Sequence, residues 1–221
     1  MRDESTGNIK GGASEATVRR LSNYFRILED IKDEGGETIS SEKLAARCGI
    51  TSAQVRKDFS SFGSFGRRGL GYNVEGLKDT IGKILGINEE WNLLLVGAGN
   101  LGHALFQYEE FHKQGFHICA ILDNNPAKIG QEWEGRHIHA MEDLDSIVKE
   151  RKIRMGILAI PPQYGQNVAN RLVDAGVEGI LNFSPTKLFM PDHIYVRNVN
   201  LAIALESLSY SLSKHERLKL F

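Results

Sequence analysis

Cysteine is nearly absent from this chain of 221 residues; there are two, Cys48 and Cys119. They read as reduced, buried and inert thiols of a cytoplasmic protein, and a redox disulfide between them is not expected. Long hydrophobic runs are missing too. No apolar stretch approaches the ~18 residues that a membrane span needs. The first residues lack the basic-then-apolar layout of a secretory signal, so export is not expected. Bulk charge selects no partner, since 27 Lys and Arg stand against 28 Asp and Glu. What remains is ordinary for a globular protein: 41% hydrophobic and 25% charged residues, in a length that holds one medium or two small domains. No internal repeat is visible.

The charge is uneven along the chain. Between residues 38 and 74, six basic residues (Lys43, Arg47, Arg56, Lys57, Arg67, Arg68) outnumber two acidic ones, Glu42 and Asp58. The same region carries a helical pattern. From Thr17 to about Asp33 the apolar positions Val18, Leu21, Tyr24, Phe25, Leu28 and Ile31 recur every three or four residues, as on one face of a helix. A shorter helix follows from about Ser41 to Cys48. Gly49-Ile50-Thr51 is a tight turn, and Thr51 with Gln54 makes a capping box that opens a third helix from Ser52 to Phe62.

Two short helices joined by a three-residue turn with a glycine form a helix-turn-helix. Its second helix would lie in the major groove of DNA. Ser52, Gln54, Arg56, Lys57 and Ser60 are its candidate contacts, with Lys43 on the preceding helix. Ala53, Val55 and Phe59 face inward or near it. Gln54 suits adenine and Arg56 suits guanine, without deciding which of them reads a base and which a phosphate. After the helix, residues 63–74 read as a Gly-rich hairpin with Arg67 and Arg68 at its tip, able to reach a minor groove or the backbone. The competing interpretation is a three-helix protein-binding domain. The cationic helix and the arginine-tipped hairpin favour DNA.

Residues 75–90 read as a helix and linker. Beyond them strands and helices alternate, which predicts a parallel sheet covered by helices. Strands are expected at 92–96, 117–122, 155–160 and 178–182, and helices near 101–112, 142–151 and 164–175. The run Leu93 to Gly102 is a buried strand turning through Gly97, Ala98, Gly99, Asn100, Leu101 and Gly102 into a helix. This is the glycine pattern that cradles a dinucleotide pyrophosphate: the first glycine turns, the second admits the phosphates, and the third lets the helix pack. Asp123 ends the next strand about 20 residues later, where the ribose-binding acid belongs. Its carboxylate would repel a 2′-phosphate and favour NAD(H) over NADP(H), although Lys128 nearby weakens that exclusion. The alternative role of Asp123 is to form a turn ahead of Asn124-Asn125-Pro126. Ile160, Pro161, Asn182, Phe183 and Ser184 fall at later strand ends. An apolar pocket from Ile160, Pro161 and Phe183, with Leu201, would penalise the cationic oxidised nicotinamide and so prefer NADH.

An enzyme remains the rival reading: a small NAD-dependent oxidoreductase with an accessory N-terminal domain. Tyr210 and Lys214 have the spacing of a catalytic Tyr–Lys pair, but four residues apart they simply share a helix face. No catalytic residue is assigned. His137 and His139 alternate on a strand without a placed third ligand, so no metal site is assigned either. His103 reads as solvated. A third possibility keeps the regulator but exchanges its ligand for coenzyme A or another nucleotide.

These residues together resemble the Rex family of redox-sensing transcriptional repressors, over nearly all of the chain from about residue 16. The pieces that carry the resemblance are Gln54-Val55-Arg56-Lys57-Asp58, Phe62-Gly63-Ser64-Phe65-Gly66, Arg68-Gly69-Leu70-Gly71-Tyr72, the glycine run at 97–102 and Gly179-Ile180-Leu181-Asn182-Phe183. The resemblance implies a winged helix-turn-helix domain fused to a Rossmann-like domain, and a homodimer whose final helix swaps across to the partner. It also implies release of a palindromic operator when NADH binds. Arg26, Tyr108 and Asn200 correspond to an arginine, a tyrosine and an aspartate that exchange partners during switching. Asn200 departs from that pattern, because a neutral amide cannot ion-pair with Arg26. Leu201 stands where some members carry an aromatic against the nicotinamide. The implied division is a disordered segment at 1–15, a DNA-binding domain at 16–86, an NAD(H)-binding domain at 87–200 and a dimerisation helix at 201–221.

Overall fold

A computed structural model of the protein describes residues 13–62 and 71–218. The hairpin tip with Arg67 and Arg68, and most of the segment expected to be disordered, lie outside the described residues. The chain forms two compact units that divide between Glu89 and Glu90.

The first unit opens with α1 (Glu15–Asp33), whose N-terminus is closed by the Ser14 hydroxyl accepting from the Thr17 N–H at 3.2 Å. Its buried residues, Leu21, Tyr24, Phe25, Leu28 and Ile31, form the apolar face that the sequence spacing predicts. A two-residue strand β1 (Thr38–Ile39) precedes α2 (Ser41–Cys48) and α3 (Ser52–Ser60). Strand β2 (Tyr72–Asn73) pairs antiparallel with β1 and leads into α4 (Val74–Leu85). Leu21, Leu28, Leu44, Val55 and Ile81 are fully enclosed where the four helices meet. Each such side chain contributes about 1.5–3 kcal/mol of burial.

The turn between α2 and α3 has a single mechanical requirement. Gly49 ends α2 at φ 66°, in the left-handed region, and the Ile50 N–H then returns to the Ala45 carbonyl at 3.1 Å. Only half of the expected capping box forms. The Thr51 hydroxyl accepts from the Gln54 N–H at 3.2 Å, but the Gln54 side chain turns away to Asp58 instead of returning to Thr51. Helix α3 also ends two residues before Phe62.

The second unit is a seven-stranded sheet in the order β5-β6-β4-β3-β7-β8-β9. Its strands are β3 (Trp91–Val96), β4 (Phe116–Asp123), β5 (Glu132–Trp133), β6 (Arg136–Ala140), β7 (Met155–Leu158), β8 (Gly179–Asn182) and β9 (Tyr195–Asn198). All pairings are parallel except β5 with β6. The crossovers are α5 (Asn100–Phe106), α6 (Glu109–Lys113), α7 (Leu144–Glu150) and α8 (Pro162–Asp174), and α9 (Leu201–Leu218) follows the last strand. One face of the sheet packs Leu94, Val96, Leu122 and Leu158 against α7 and α8 residues such as Leu144 and Leu172. The other packs Leu93, Leu95, Ile121 and Ile157 against Phe106. Ile118 and Ile121 share that second face despite their odd spacing, because the β3–β4 register shifts between Leu93 and Leu94 and leaves Cys119 as an extra residue.

Two departures from the sequence reading concern this unit. The helix expected at 101–112 is two helices, broken at Gln107 and Tyr108. Phe106 and Phe111 are five residues apart and would diverge by about 140° on one continuous helix. The break lets both pack into the same core. The hairpin of β5 and β6 also adds an edge to the sheet, with Ile138 as its buried residue. Among the described residues no helix is long and apolar enough to cross a membrane.

Gly49→Ala tests the turn. A Cβ there meets nothing within 4 Å, so the cost is conformational alone. Chemical denaturation is expected to show a loss of about 1–2 kcal/mol, and Gly49→Asn a smaller one.

Candidate nucleotide crevice and nucleic-acid-binding helix

The carboxyl ends of β3, β4 and β7 open into a cavity of about 620 Å³. Its floor is the glycine turn. Gly97 has φ 106°, and a Cβ there would collide with the Ala159 carbonyl of the neighbouring strand end. A Cβ on Gly102 would collide with the Gly97 carbonyl oxygen, so the helix sits directly on the strand end. Gly99 is different: its missing side chain leaves open space, and α5 begins there with no side-chain cap. The first turn therefore keeps its N–H donors for something that enters the cavity.

Asp123 fixes one side of this floor. Its carboxylate is 7% exposed. Oδ2 accepts from the Ala98 N–H at 2.7 Å and lies 3.3 Å from Lys128 Nζ, while Oδ1 accepts from the Asn125 N–H at 2.8 Å. Burial pushes the carboxyl up, but these donors outweigh it and hold it below its ordinary value. Asp123 forms the turn expected of it and also lines the cavity. Asn100, Leu101, Asn124, Lys128, Ile160 and Pro161 also line the space, as the sequence suggests. From α8 come Tyr164, Asn167 and Arg171, which the sequence reading did not single out. They lie three and four residues apart on one helical face. Arg171 Nη2 donates to the Met141 carbonyl at 2.6 Å, which joins α8 to the segment after β6.

Other expected residues do not line this cavity. Asn182 is fully buried; its amide donates to the Thr186 carbonyl and to Asn198 Oδ1, and its own oxygen accepts from the Ser184 N–H. Ser184 is buried beside Gly165 of α8, and Phe183 packs into the core below the sheet. These three shape the strand end from within. Tyr108 is 51% exposed with its ring edge-on to Phe111, and Leu201 is 64% exposed at the start of α9. Of the four residues anticipated as an apolar wall, Ile160 and Pro161 line this cavity and Phe183 and Leu201 do not.

On α3, Arg56, Lys57 and Ser60 are exposed and Ser52 and Gln54 half-buried. Ala53 is exposed instead of facing inward, because Val55, Asp58 and Phe59 fill the inner face. Arg56 Nη1 donates to Ser41 Oγ at 3.0 Å and to Glu42 Oε1 at 3.2 Å, which ties α3 to α2. The Ser60 hydroxyl donates to the Lys57 carbonyl within its own helix. Lys43 is exposed on α2, and Arg26 is exposed on α1. Gln54 donates through Nε2 to the buried carboxylate of Asp58 at 2.8 Å. Asp58 is the residue that sequence reasoning missed here.

Comparison with known proteins draws both units together. The family model described as "Putative DNA-binding protein N-terminus" matches residues 13–60, and the one described as "CoA binding domain" matches residues 88–186. A redox-sensing transcriptional repressor Rex of Carboxydothermus hydrogenoformans is 48% identical over 200 residues, covering 90% of this chain and 96% of that one. This chain belongs to the Rex family. A crystal structure of RSP, a Rex-family repressor, in complex with β-NAD+ and operator DNA superposes with a TM-score of 0.90 at 39% identity, covering 96% of this chain and 97% of that one. The complex of RSP with β-NADH gives 0.84 at 38% identity, covering 94% and 97%.

Within the Rex framework, Asn200 takes on a definite local role. Its Oδ1 accepts from the Ala202 N–H at 2.9 Å at the start of α9. An aspartate there would cap the helix in the same way, so the amide keeps the cap and removes the charge. The α8 residues that line the cavity could have been found from sequence: Pro161-Pro162 marks a helix start, and the three-then-four spacing of Tyr164, Asn167 and Arg171 marks one face.

The glycine turn separates two roles that one pair of variants distinguishes. Gly102→Ala is expected to destabilise the second unit by at least about 1–3 kcal/mol through overpacking. Gly99→Ala is expected to leave thermal unfolding within about 0.5 kcal/mol of the parent, because its Cβ enters open space.

Proposed function

We propose that this protein is an NADH-responsive transcriptional repressor that binds operator DNA through α3 and leaves it when NADH occupies the glycine-floored cavity. The observation that carries this reading is the ionised Asp123 beside an uncapped, glycine-opened helix, in a chain whose other unit is a helix-turn-helix of the Rex family. Asp123 would receive the ribose hydroxyls, and the first turn of α5 the pyrophosphate. Ile160 and Pro161 would disfavour the cationic nicotinamide by desolvation, which favours NADH over NAD+. The Rex relatives, which are named transcriptional repressors, favour a sensor over an oxidoreductase.

The working form is a homodimer. On α9, Leu201, Ile203, Leu205, Leu208, Tyr210 and Leu212 are each more than half exposed. Apolar surface on this scale marks an interface, and exchange of this helix between two copies is its simplest use. A two-fold dimer reads a palindrome, with its recognition helices ~34 Å apart or a multiple of that. NADH acts only through differential affinity for closed over DNA-competent dimers, and near-complete switching requires about 10⁴-fold, or ~5.5 kcal/mol. Arg26, Tyr108 and Asn200 are the residues we assign to that switch. Its operator places the protein in the cytoplasm.

A mobility-shift assay on operator DNA titrated with NADH, NAD+ and coenzyme A tests the reading. NADH is expected to release the DNA at far lower concentration than NAD+, and coenzyme A to have no effect. Release by neither nicotinamide nucleotide, or equally by both, contradicts it. Asp123→Ala is expected to weaken the NADH response at least 10-fold while DNA affinity persists.

A further inference from the structure

Helix α3 carries a buried carboxylate in an unusual position. Asp58 is 2% exposed, on the inner face of the helix between the buried apolar side chains of Val55 and Phe59. Four donors converge on it. Arg20 of α1 grips it as a fork, Nε to Oδ2 at 2.6 Å and Nη2 to Oδ1 at 2.6 Å. The Tyr24 hydroxyl donates to Oδ2 at 2.7 Å, and Gln54 Nε2 donates to Oδ1 at 2.8 Å. Burial pushes this carboxyl up, yet the Arg20, Tyr24 and Gln54 bonds hold it below its ordinary value. It is therefore ionised and accepts only.

That has a consequence for Gln54. A primary amide has two ends, and a side chain free in solution presents either. A carboxylate accepts only, so the Gln54 NH2 must face inward and its Oε1 outward. One amide hydrogen is spent on Asp58. The other hydrogen and Oε1 remain as a donor–acceptor edge, the pattern that pairs with N7 and the N6 amino group of adenine. Tyr24 packs edge-on against Phe59, with ring centroids 5.5 Å apart, so the donors on α1 are themselves held. Arg56, by contrast, is turned toward Ser41 and Glu42 of α2.

We propose that Asp58, clamped by Arg20 and Tyr24, is a positioning residue that presets the Gln54 amide to read one adenine in each operator half-site. This rests on the proposed entry of α3 into the major groove. Rigidity set in advance confers discrimination, because the side chain loses little freedom on binding.

The experiment uses the full-length protein and the duplex it selects from a random library. Each adenine of that duplex is replaced singly by 7-deaza-adenine, which removes the N7 acceptor, and affinities are read by fluorescence anisotropy at fixed salt. Wild type is expected to lose part of the about 5- to 150-fold that a whole bidentate contact is worth, at one adenine per half-site. Gln54→Ala is expected to lose that sensitivity at that position alone. Asp58→Asn is expected to relax it at the same position, and to have no further effect there in a Gln54→Ala background. Arg20→Lys keeps the charge but not the fork; it is expected to relax the same position and serves if Asp58→Asn fails to fold. Uniform weakening on every duplex by Asp58→Asn or Arg20→Lys overturns the proposal, as does sensitivity that survives Gln54→Ala. If the wild-type protein selects no duplex, the repressor reading falls as well. If it selects one whose adenines ignore Gln54, only the positioning role falls.

Discussion

The hydrogen bond from the Ala98 N–H to the Asp123 carboxylate is the tie on which the second unit depends. It joins the glycine turn after β3 to the end of β4, the two adjacent strands at the centre of the sheet. The turn needs three glycines for three reasons: a left-handed residue, an open approach and a close helix contact. None of these holds the turn in place. Asp123 does so together with the Gly97 N–H, which donates to the Leu122 carbonyl at 2.8 Å, and the Asp123 charge is retained because backbone donors and Lys128 outweigh the effect of burial. The same carboxylate that shapes the turn also lines the cavity.

The first unit uses a related device. Asp58 ties α3 to α1 through Arg20 and Tyr24, as Asp123 ties β4 to the turn. A buried pair of this kind is weak support for stability, since desolvation offsets much of the attraction. Its value lies in specifying geometry, and in both units the geometry so specified is that of the surface we propose as a binding site. Arg56 adds a second brace, from α3 to Ser41 and Glu42 of α2, so α3 is held from both sides.

The parts of this molecule legible in the sequence are those encoded locally. The glycine run, the acid after the next strand and the left-handed Gly49 each announce themselves within a few residues, and helices α1, α2 and α8 follow from their apolar spacing and caps. What escaped depends on distant partners. Asp58 looks like a surface residue on a polar helix until Arg20, 38 residues away, is placed beside it. Gln54 looks like half of a capping box until Asp58 competes for its amide. The break at Tyr108 follows from the need to bury both Phe106 and Phe111, which no local signal records. Asn182 and Ser184 sit at the end of β8, yet the crossing from β8 to β9 encloses them; the Asn182 amide and the Ser184 N–H bond within the fold, while the buried Ser184 hydroxyl has no partner among the described residues.

Occupancy of the cavity and grip on DNA are, in this account, alternative geometries of one dimer. The most direct test is the distance between the two α3 helices, measured by pulsed electron spin resonance. The labels sit at Ser61→Cys, exposed at the end of α3, in a background with Cys48 and Cys119 replaced by alanine. Without NADH the dimer on operator DNA is expected to show one narrow distribution set by the spacing of successive major grooves. NADH is expected to move it by several ångströms in the free dimer. Identical distributions with and without NADH would contradict the account.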